Sequence, residues 1–200
     1  MKRLRIGVIG LGRLGYHHAM NVTKSQRAIL SAVSDPFPEA LKRAVDNFDV
    51  PGYADYKEMI VRDDVDAIVV ATPTKTHYDV LMDCIETKKP IFVEKPITFT
   101  VEESEAIMKA VEEKNIFLQV GFMRRFDPGH VAAKEAIVSG KCGKPIYIHD
   151  CQRDPNGPPP AYVPESGGLF VDMGIHDLDV ARWLMGREIT EIYAQGAVLK

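Results

Sequence analysis

The feature that most constrains this chain is a short apolar run, Leu4–Ile9, that leads directly into three closely spaced glycines. Their spacing is G-x-G-x-x-G, with glycines at Gly10, Gly12 and Gly15. In this pattern the first glycine permits a tight turn and the second lets the backbone approach a pyrophosphate. The third allows the following helix to pack closely on the strand. The sequence therefore predicts a strand, a phosphate-binding loop and a helix.

A carboxylate completes the pattern, because Asp35 follows the second apolar run, Ala28–Val33. Such a carboxylate can accept hydrogen bonds from both hydroxyls of an adenosine ribose, and it would repel a 2′-phosphate. The helix beginning at Arg13 and Leu14 offers free N–H groups and about half a unit of positive charge to phosphates. These residues predict binding of NAD in preference to NADP. A glycine turn selected for packing alone would leave Asp35 unexplained.

The composition is that of an ordinary globular protein, with 46% apolar and 26% charged residues in a chain of 200. A net charge of −3 gives no general attraction to nucleic acid or to an anionic membrane. The first residues have the charge of a signal-peptide n-region, but the apolar stretch after them is short and broken by glycines, so neither a signal peptide nor a membrane anchor is predicted. Three widely spaced cysteines indicate reduced thiols and a cytoplasmic protein, without a disulfide framework or zinc site: Cys84, Cys142 and Cys151.

Strand-like and helix-like segments alternate through residues 1–120. Short apolar runs typical of parallel strands recur at Leu4–Ile9, Ala28–Val33, Ala67–Ala71, Ile91–Val93 and Phe117–Val120. Amphipathic stretches lie between them at Leu14–Val22, Pro38–Phe48, Tyr78–Thr87 and Val101–Lys114. This alternation predicts an α/β fold, a doubly wound parallel sheet built from right-handed βαβ units.

The pattern changes over residues 121–200, where we expect the beginning of a second, α+β domain. A helical segment, Pro128–Ser139, precedes an alternating strand, Ile146–Cys151. A helix around His176–Met185 and a strand-like piece, Glu188–Val198, follow. These elements cannot close a stable sheet by themselves. We therefore expect the chain to be the N-terminal portion of a longer enzyme.

Two groups of polar residues follow strands at the edge where a doubly wound sheet binds its ligands. Thr72 and Pro73 come after the third run, and His77 either contacts the cofactor or begins a helix with its ring satisfied by backbone. Glu94 and Lys95 come after the fourth run. A lysine there can polarise a substrate hydroxyl beside the nicotinamide, whereas the alternative is a solvated ion pair with Glu94. The proline after Lys95 is a candidate for a cis peptide bond.

A third group combines a histidine with carboxylates. Asp172, His176 and Asp179 fall at i, i+4 and i+7, on one face of a helix. A histidine flanked by carboxylates suits a general base, and the alternative is a His–Asp pair that caps a helix. The chain has no suitably spaced cysteine or second histidine to complete four ligands, so no metal site is predicted.

In this order the glycine pattern, the Thr-Pro loop, Glu-Lys-Pro and the segment from Gly167 to Asp179 resemble the Gfo/Idh/MocA oxidoreductase family. The segments Gly121–Asp127 and Arg153–Pro155 look most like its inositol 2-dehydrogenases. The resemblance implies a Rossmann domain followed by an open antiparallel-sheet domain. It also implies a homo-oligomer, a dimer or tetramer, formed through that second sheet.

The resemblance further implies roles for individual residues. Lys95 would hold the reacting oxygen, His176 would take the hydroxyl proton, and Asp172 would orient or relay from His176. Other hydroxyls would be held by Arg125, Asp154 and Asp179, and Asp154 leaves the choice between inositol isomers open.

The predicted function is NAD-dependent oxidation of a cyclic polyol, with myo-inositol and its 2-keto product as the first candidate pair. The alternatives are another sugar or polyol, such as scyllo-inositol or glucose, oxidised with NAD or NADP, and a non-enzymatic NAD-binding sensor. A sensor would be expected to have lost Lys95, Asp172 or His176, and all three are present.

Overall fold

The computed structural model describes residues 3–153, 156–158, 160 and 162–197. These residues form two compact units that divide between Gly121 and Phe122, with residues 165–167 grouped in the first. None of the helices in the described part of the chain has the length and apolar character that a membrane span requires.

The first unit is built on a six-stranded sheet whose paired strands are all parallel, in the order β3-β2-β1-β4-β5-β6. The strands are β1 (Leu4–Ile9), β2 (Ala28–Ser34), β3 (Gly52–Tyr53), β4 (Ala67–Val70), β5 (Ile91–Val93) and β6 (Leu118–Val120). The helices are α1 (Arg13–Lys24), α2 (Pro38–Phe48), α3 (Tyr56–Ile60), α4 (His77–Glu86) and α5 (Val101–Lys114). The order reverses between β1 and β4, the position at which ligands bind in such sheets.

Helices cover the sheet through two separate apolar clusters. One includes Ala19 of α1 and Ala44 of α2, packed with residues of β1 and β2. The other includes residues of α3, α4 and α5, among them Leu81 and Ile107. Because both faces are covered, the central strands consist of nearly unbroken apolar runs. The predicted α/β class and parallel Rossmann sheet are therefore confirmed.

Two elements of the first unit were not predicted. β3 has only two residues and no apolar run, so no periodicity marks it. The helix that follows it, α3, has five residues, and Asp55 caps it by accepting a hydrogen bond from the Lys57 amide. Both lie between the predicted segments Pro38–Phe48 and Ala67–Ala71.

The regular elements among the described residues of the second unit are all helical. Helix α6 (Pro128–Val138) begins at Asp127, whose carboxylate accepts hydrogen bonds from two amides of the first turn. One π-helical turn, Phe170–Gly174, leads directly into α7 (Ile175–Met185). Gly186 ends α7 in the left-handed conformation, a common helix C-terminus.

The two strands predicted for this unit are not formed over the described residues 146–151 and 188–197. Ile146 is 92% exposed and Tyr147 is 78% exposed. Alternating polarity indicates which face a strand would bury, but a strand forms only where a second strand takes up its backbone hydrogen bonds. Among the described residues of this unit, no strand supplies that pairing.

Core packing gives a direct test of the first unit. Leu81 is fully buried on α4, so Leu81→Ala should lower the free energy of unfolding by about 2–5 kcal/mol. Met108 on α5 is 49% exposed, and Met108→Ala should change it by less than about 0.5 kcal/mol. Urea unfolding monitored by circular dichroism measures both. Equal losses in the two variants would contradict the packing described here.

Candidate cofactor and active site

The glycine loop after β1 passes very close to its own backbone. Gly10 has φ +86°, and a Cβ built on it would lie 2.6 Å from the Ala71 carbonyl oxygen. A Cβ on Gly15 would lie 1.8 Å from the Gly10 carbonyl oxygen. Gly12 differs, because a Cβ there would meet nothing within 4 Å. Gly10 and Gly15 are thus required by the fold, whereas Gly12 leaves open space.

That open space lies at the beginning of α1. Gly12 is the N-cap residue, and no side chain caps this end of the helix. The N–H groups of the first helical turn, which includes Arg13 and Leu14, have no partner within the helix. They carry the positive end of the helix dipole. An uncapped helix end beside a glycine without a Cβ fits the pyrophosphate of a dinucleotide.

Asp35 follows β2 and contacts this loop directly. Its carboxylate accepts hydrogen bonds from the Leu11 amide at 2.6 Å and from the Phe37 amide at 2.9 Å. The residue is 6% exposed. A carboxylate can accept about four hydrogen bonds, so two backbone amides leave capacity for ribose hydroxyls. Asp35 is therefore fixed beside the loop that would hold the pyrophosphate, as the NAD assignment requires.

His77 connects the two loops that follow β4 and β5. Its Nε2 lies 2.9 Å from the Thr72 carbonyl oxygen, and its Nδ1 lies 2.9 Å from the Pro96 carbonyl oxygen and 3.2 Å from that of Ile97. The side chain is 1% exposed. Of the two roles predicted for His77, this geometry favours the one in which backbone groups satisfy the ring at the start of α4. Its position between the loops of Pro73 and Lys95 could not be foreseen from residue type.

Glu94 and Lys95 follow β5, and the Lys95–Pro96 peptide bond is cis, as expected. The Glu94 carboxylate contacts His18 Nε2 at 2.6 Å and accepts a hydrogen bond from the Lys95 amide at 3.3 Å. His18 also packs edge-on against Phe92, with ring centroids 5.2 Å apart. His18 was not predicted as a site residue. Its signal is its position three residues after Gly15, on the face of α1 that packs on the sheet.

In the second unit, the two predicted carboxylates that the structure describes, Asp172 and Asp179, both have partners. Asp172 lies in the π-helical turn and accepts a hydrogen bond from the Tyr162 hydroxyl at 2.9 Å. Asp179 on α7 is 5% exposed and accepts two hydrogen bonds from Arg125, from Nε at 2.9 Å and from Nη2 at 2.6 Å. The structure thus brings two predicted substrate residues, Arg125 and Asp179, into one bidentate ion pair. Asp154 lies outside the described residues.

His176 lies in the first turn of α7, next to a carboxyl group that the sequence analysis did not single out. Asp177 accepts a hydrogen bond from the side-chain amide of Gln152. Burial, together with the neighbouring carboxylate of Asp150, raises the pKa of Asp177. A second acidic group therefore adjoins His176 within this unit.

Sequence comparison extends these observations to the whole chain. Residues 4–122 match the profile of the Gfo/Idh/MocA oxidoreductase family, described as an NAD-binding Rossmann fold. Residues 130–200 match the C-terminal domain of the same family. The chain belongs to the Gfo/Idh/MocA oxidoreductase family. The predicted family and its NAD-binding Rossmann domain are confirmed.

Two characterised relatives are similar over nearly all of this chain. The scyllo-inositol 2-dehydrogenase (NAD(+)) of Bacillus subtilis is 42% identical over 98% of this chain and 58% of its own length. The myo-inositol 2-dehydrogenase of Thermotoga maritima is 40% identical over 98% of this chain and 59% of its own length. The chain therefore spans a little under three fifths of the length of these relatives.

Solved structures give the same result for the fold. A probable dehydrogenase from Thermotoga maritima superimposes with a TM-score of 0.90 at 39% identity, over 98% of this chain and 59% of that one. The scyllo-inositol dehydrogenase of Lactobacillus casei, solved with NAD(H) and scyllo-inositol, has a TM-score of 0.78 at 34% identity. It matches 92% of this chain and 57% of its own.

The two kinds of glycine in the loop predict opposite outcomes. Gly12→Ala should leave the melting temperature nearly unchanged but weaken NADH binding at least about tenfold, because the new methyl group occupies the space for the pyrophosphate. Gly15→Ala should destabilise the folded chain itself, because its Cβ meets the Gly10 carbonyl oxygen. Thermal melts and NADH fluorescence titrations separate the two effects. Equal behaviour of both variants would contradict these assignments.

The bridge formed by His77 can be tested in the same way. His77→Leu removes the hydrogen-bonding partner of buried carbonyl groups, so it should lower the free energy of unfolding by about 1–3 kcal/mol. His17→Leu changes an exposed histidine of α1 and should alter it by less than about 0.5 kcal/mol. Urea titrations of both variants provide the measurement. An unaltered stability in His77→Leu would refute the bridging role.

Proposed function

We propose that the enzyme to which this chain belongs oxidises a cyclic polyol with NAD, and that myo-inositol, converted to its 2-keto form, is the substrate. The observation that carries the proposal is the 2.6 Å contact between Asp35 and the glycine loop. It occurs in a chain that is 42% and 40% identical to two inositol 2-dehydrogenases. Together they support a ribose-binding acid in a polyol dehydrogenase.

The first unit supplies the cofactor side of this proposal, with residues 1–120 as the NAD-binding domain. The turn of α1 at Arg13 and Leu14 holds the pyrophosphate, and Asp35 accepts the hydroxyls of the adenosine ribose. Thr72 and Pro73 line the nicotinamide side, together with Glu94. When bound, NAD supplies the acceptor for the hydride.

Lys95 is the residue of this unit that we assign to the reacting oxygen. It is half-buried, at the tip of β5, on the edge of the sheet where ligands bind. Its neighbours on both sides are anchored, Glu94 through His18 and Pro96 through His77. An ammonium group held in this way donates a hydrogen bond to the substrate hydroxyl and stabilises the negative charge that develops on it.

Residues 121–200 supply the substrate side and begin the substrate-binding and oligomerisation domain. His176 takes the hydroxyl proton as general base, and Asp172 orients its ring. Arg125 and Asp179 hold neighbouring hydroxyls, because the Arg125 side chain remains 41% exposed and keeps further N–H donors. Asp154 completes this set. A dimer or tetramer formed through the second domain belongs to the same proposal.

A second candidate substrate is scyllo-inositol. It is favoured by one specific observation, the 42% identity to a scyllo-inositol 2-dehydrogenase. The two isomers differ only in the orientation of one hydroxyl, and both present that hydroxyl in a ring of similar neighbours. The same residues of this chain would act on either.

The direct test is the appearance of NADH, followed by its near-ultraviolet absorbance, with myo-inositol, scyllo-inositol and glucose as parallel substrates. We expect the highest kcat/KM with myo-inositol. A higher value with scyllo-inositol would select the second candidate. Binding of NADH without turnover on any of the three would overturn the polyol assignment and leave the cofactor assignment in place.

Lys95 gives the sharpest prediction about catalysis. Lys95→Ala should lower kcat by more than about a hundredfold while NADH binding stays within about threefold, because the lost interaction is made mainly in the transition state. Lys109→Ala removes a lysine that is 77% exposed on α5 and serves as the matched control. Stopped-flow turnover and NADH titration measure the two quantities. A kcat that falls equally in both variants would contradict the assigned role.

A further inference from the structure

A second charged residue contacts the glycine loop beside Asp35. Arg43 lies on α2, and its Nη2 donates a hydrogen bond to the Leu11 carbonyl oxygen at 2.9 Å. Its guanidinium carbon lies 4.7 Å from the centre of the Tyr16 ring, which packs against Phe48. A cation over an aromatic face and a hydrogen bond to the loop hold this guanidinium in place.

Asp35 and Arg43 both hydrogen-bond to the backbone of Leu11, one to its N–H group and the other to its carbonyl oxygen. The Leu11 N–H donates to Asp35, and the Leu11 carbonyl oxygen accepts from Arg43. The N and O atoms of one residue are about 3–4 Å apart, so the carboxylate oxygen and the guanidinium nitrogen are within about 10 Å of each other. Opposite charges therefore flank the point at which the adenosine ribose would bind.

We propose that Arg43 is a second determinant of cofactor choice, a guanidinium placed to bind a 2′-phosphate once the Asp35 carboxylate is removed. The inference rests on the proposed NAD site and adds a specificity to it. It means that Asp35 alone keeps the site selective for NAD. One substitution would then admit NADP, with no new basic residue introduced.

The chemistry of the two groups supports this assignment. Among the described residues, the Leu11 carbonyl oxygen is the one acceptor that the Arg43 guanidinium engages, which leaves four of its five N–H groups for a ligand. A guanidinium presents these groups in a fork that matches phosphate oxygens. In the native chain, repulsion by Asp35 exceeds attraction by Arg43 for a 2′-phosphate. The reason is that two backbone amides fix the buried Asp35 carboxylate where the 2′-phosphate would lie.

A neighbouring cation provides the control. Lys42 precedes Arg43 on the same helix, but its ammonium forms an i, i+4 ion pair with Asp46 at 2.6 Å. If any positive charge near the loop were sufficient, removal of Lys42 would have the same effect as removal of Arg43.

The experiment is calorimetric titration of the chain with two probes, ADP-ribose and ADP-ribose carrying a 2′-phosphate. Neither probe contains nicotinamide, so binding is measured without turnover. The variants are Asp35→Ser and, in that background, Arg43→Met, Arg43→Lys and Lys42→Met. Asp35→Asn, which removes the charge but keeps the shape, is the second single variant, and a thermal melt accompanies each protein.

We expect the native chain to bind ADP-ribose and to reject the 2′-phosphate form. Asp35→Ser and Asp35→Asn should bind the 2′-phosphate form at least about tenfold more tightly than the native chain, because a repulsive charge is gone. Adding Arg43→Met should weaken that binding by roughly 10- to 100-fold while ADP-ribose changes by less than about threefold. Arg43→Lys should recover part of the loss, and the Lys42 variant should resemble its background.

Three results would overturn the inference. In the first, Arg43→Met and Lys42→Met weaken binding equally, so that the effect is one of general charge. In the second, Arg43→Met weakens both probes equally, so that Arg43 only supports the loop. In the third, neither Asp35 variant gains affinity for the 2′-phosphate. A native chain that binds no ADP-ribose would instead refute the proposed cofactor site itself.

Discussion

The structure depends first on a contact of the backbone with itself, at the turn from β1 into α1. Gly15 lies so close to the Gly10 carbonyl oxygen that a Cβ would stand 1.8 Å from it, and a Cβ on Gly10 would stand 2.6 Å from the Ala71 carbonyl oxygen. This approach brings the N-terminal turn of α1 over the carboxyl ends of the central strands. It also brings the Leu11 amide within 2.6 Å of Asp35. The turn that we propose to bind phosphate and the acid that we propose to bind ribose are thus brought together by one steric constraint.

The loops that follow β4 and β5 are held by side chains instead. The His77 ring contacts backbone carbonyl oxygens of both loops, and the His18 ring of α1 contacts the side-chain carboxylate of Glu94. In sequence, Lys95 lies between Glu94, which His18 contacts, and Pro96, which His77 contacts. At the other end of the same edge, Asp35 accepts from the Leu11 amide and Arg43 donates to the Leu11 carbonyl oxygen, and we propose that this pair sets the choice of cofactor.

Much of the first unit could be predicted, because buried parallel strands consist of apolar runs and the glycine pattern has one mechanical explanation. β3 could not be predicted, because two residues are too few to show an alternating or apolar pattern. The segments 146–151 and 188–197 were predicted as strands and are not strands. Their alternation of apolar and polar residues does not indicate whether a second strand is present to pair with them. The roles of His77 and Arg43 depend on which carbonyl oxygens the fold brings to them, 19 and 32 residues away in sequence for Pro96 and Leu11. Asp172 and His176 are related by their i, i+4 spacing, but no local pattern relates Lys95 to them. The resemblance to the family supplied that grouping.

The central claim is that the edge formed by the glycine loop, Asp35 and the Lys95 loop is the NAD site. Amide hydrogen exchange of the chain, followed by mass spectrometry with and without NAD, tests it most directly. The account predicts slower exchange in peptides that cover residues 10–16 and 94–98, and a much smaller effect with NADP at the same concentration. Protection elsewhere without protection of residues 10–16, or equal protection by NADP, would contradict it.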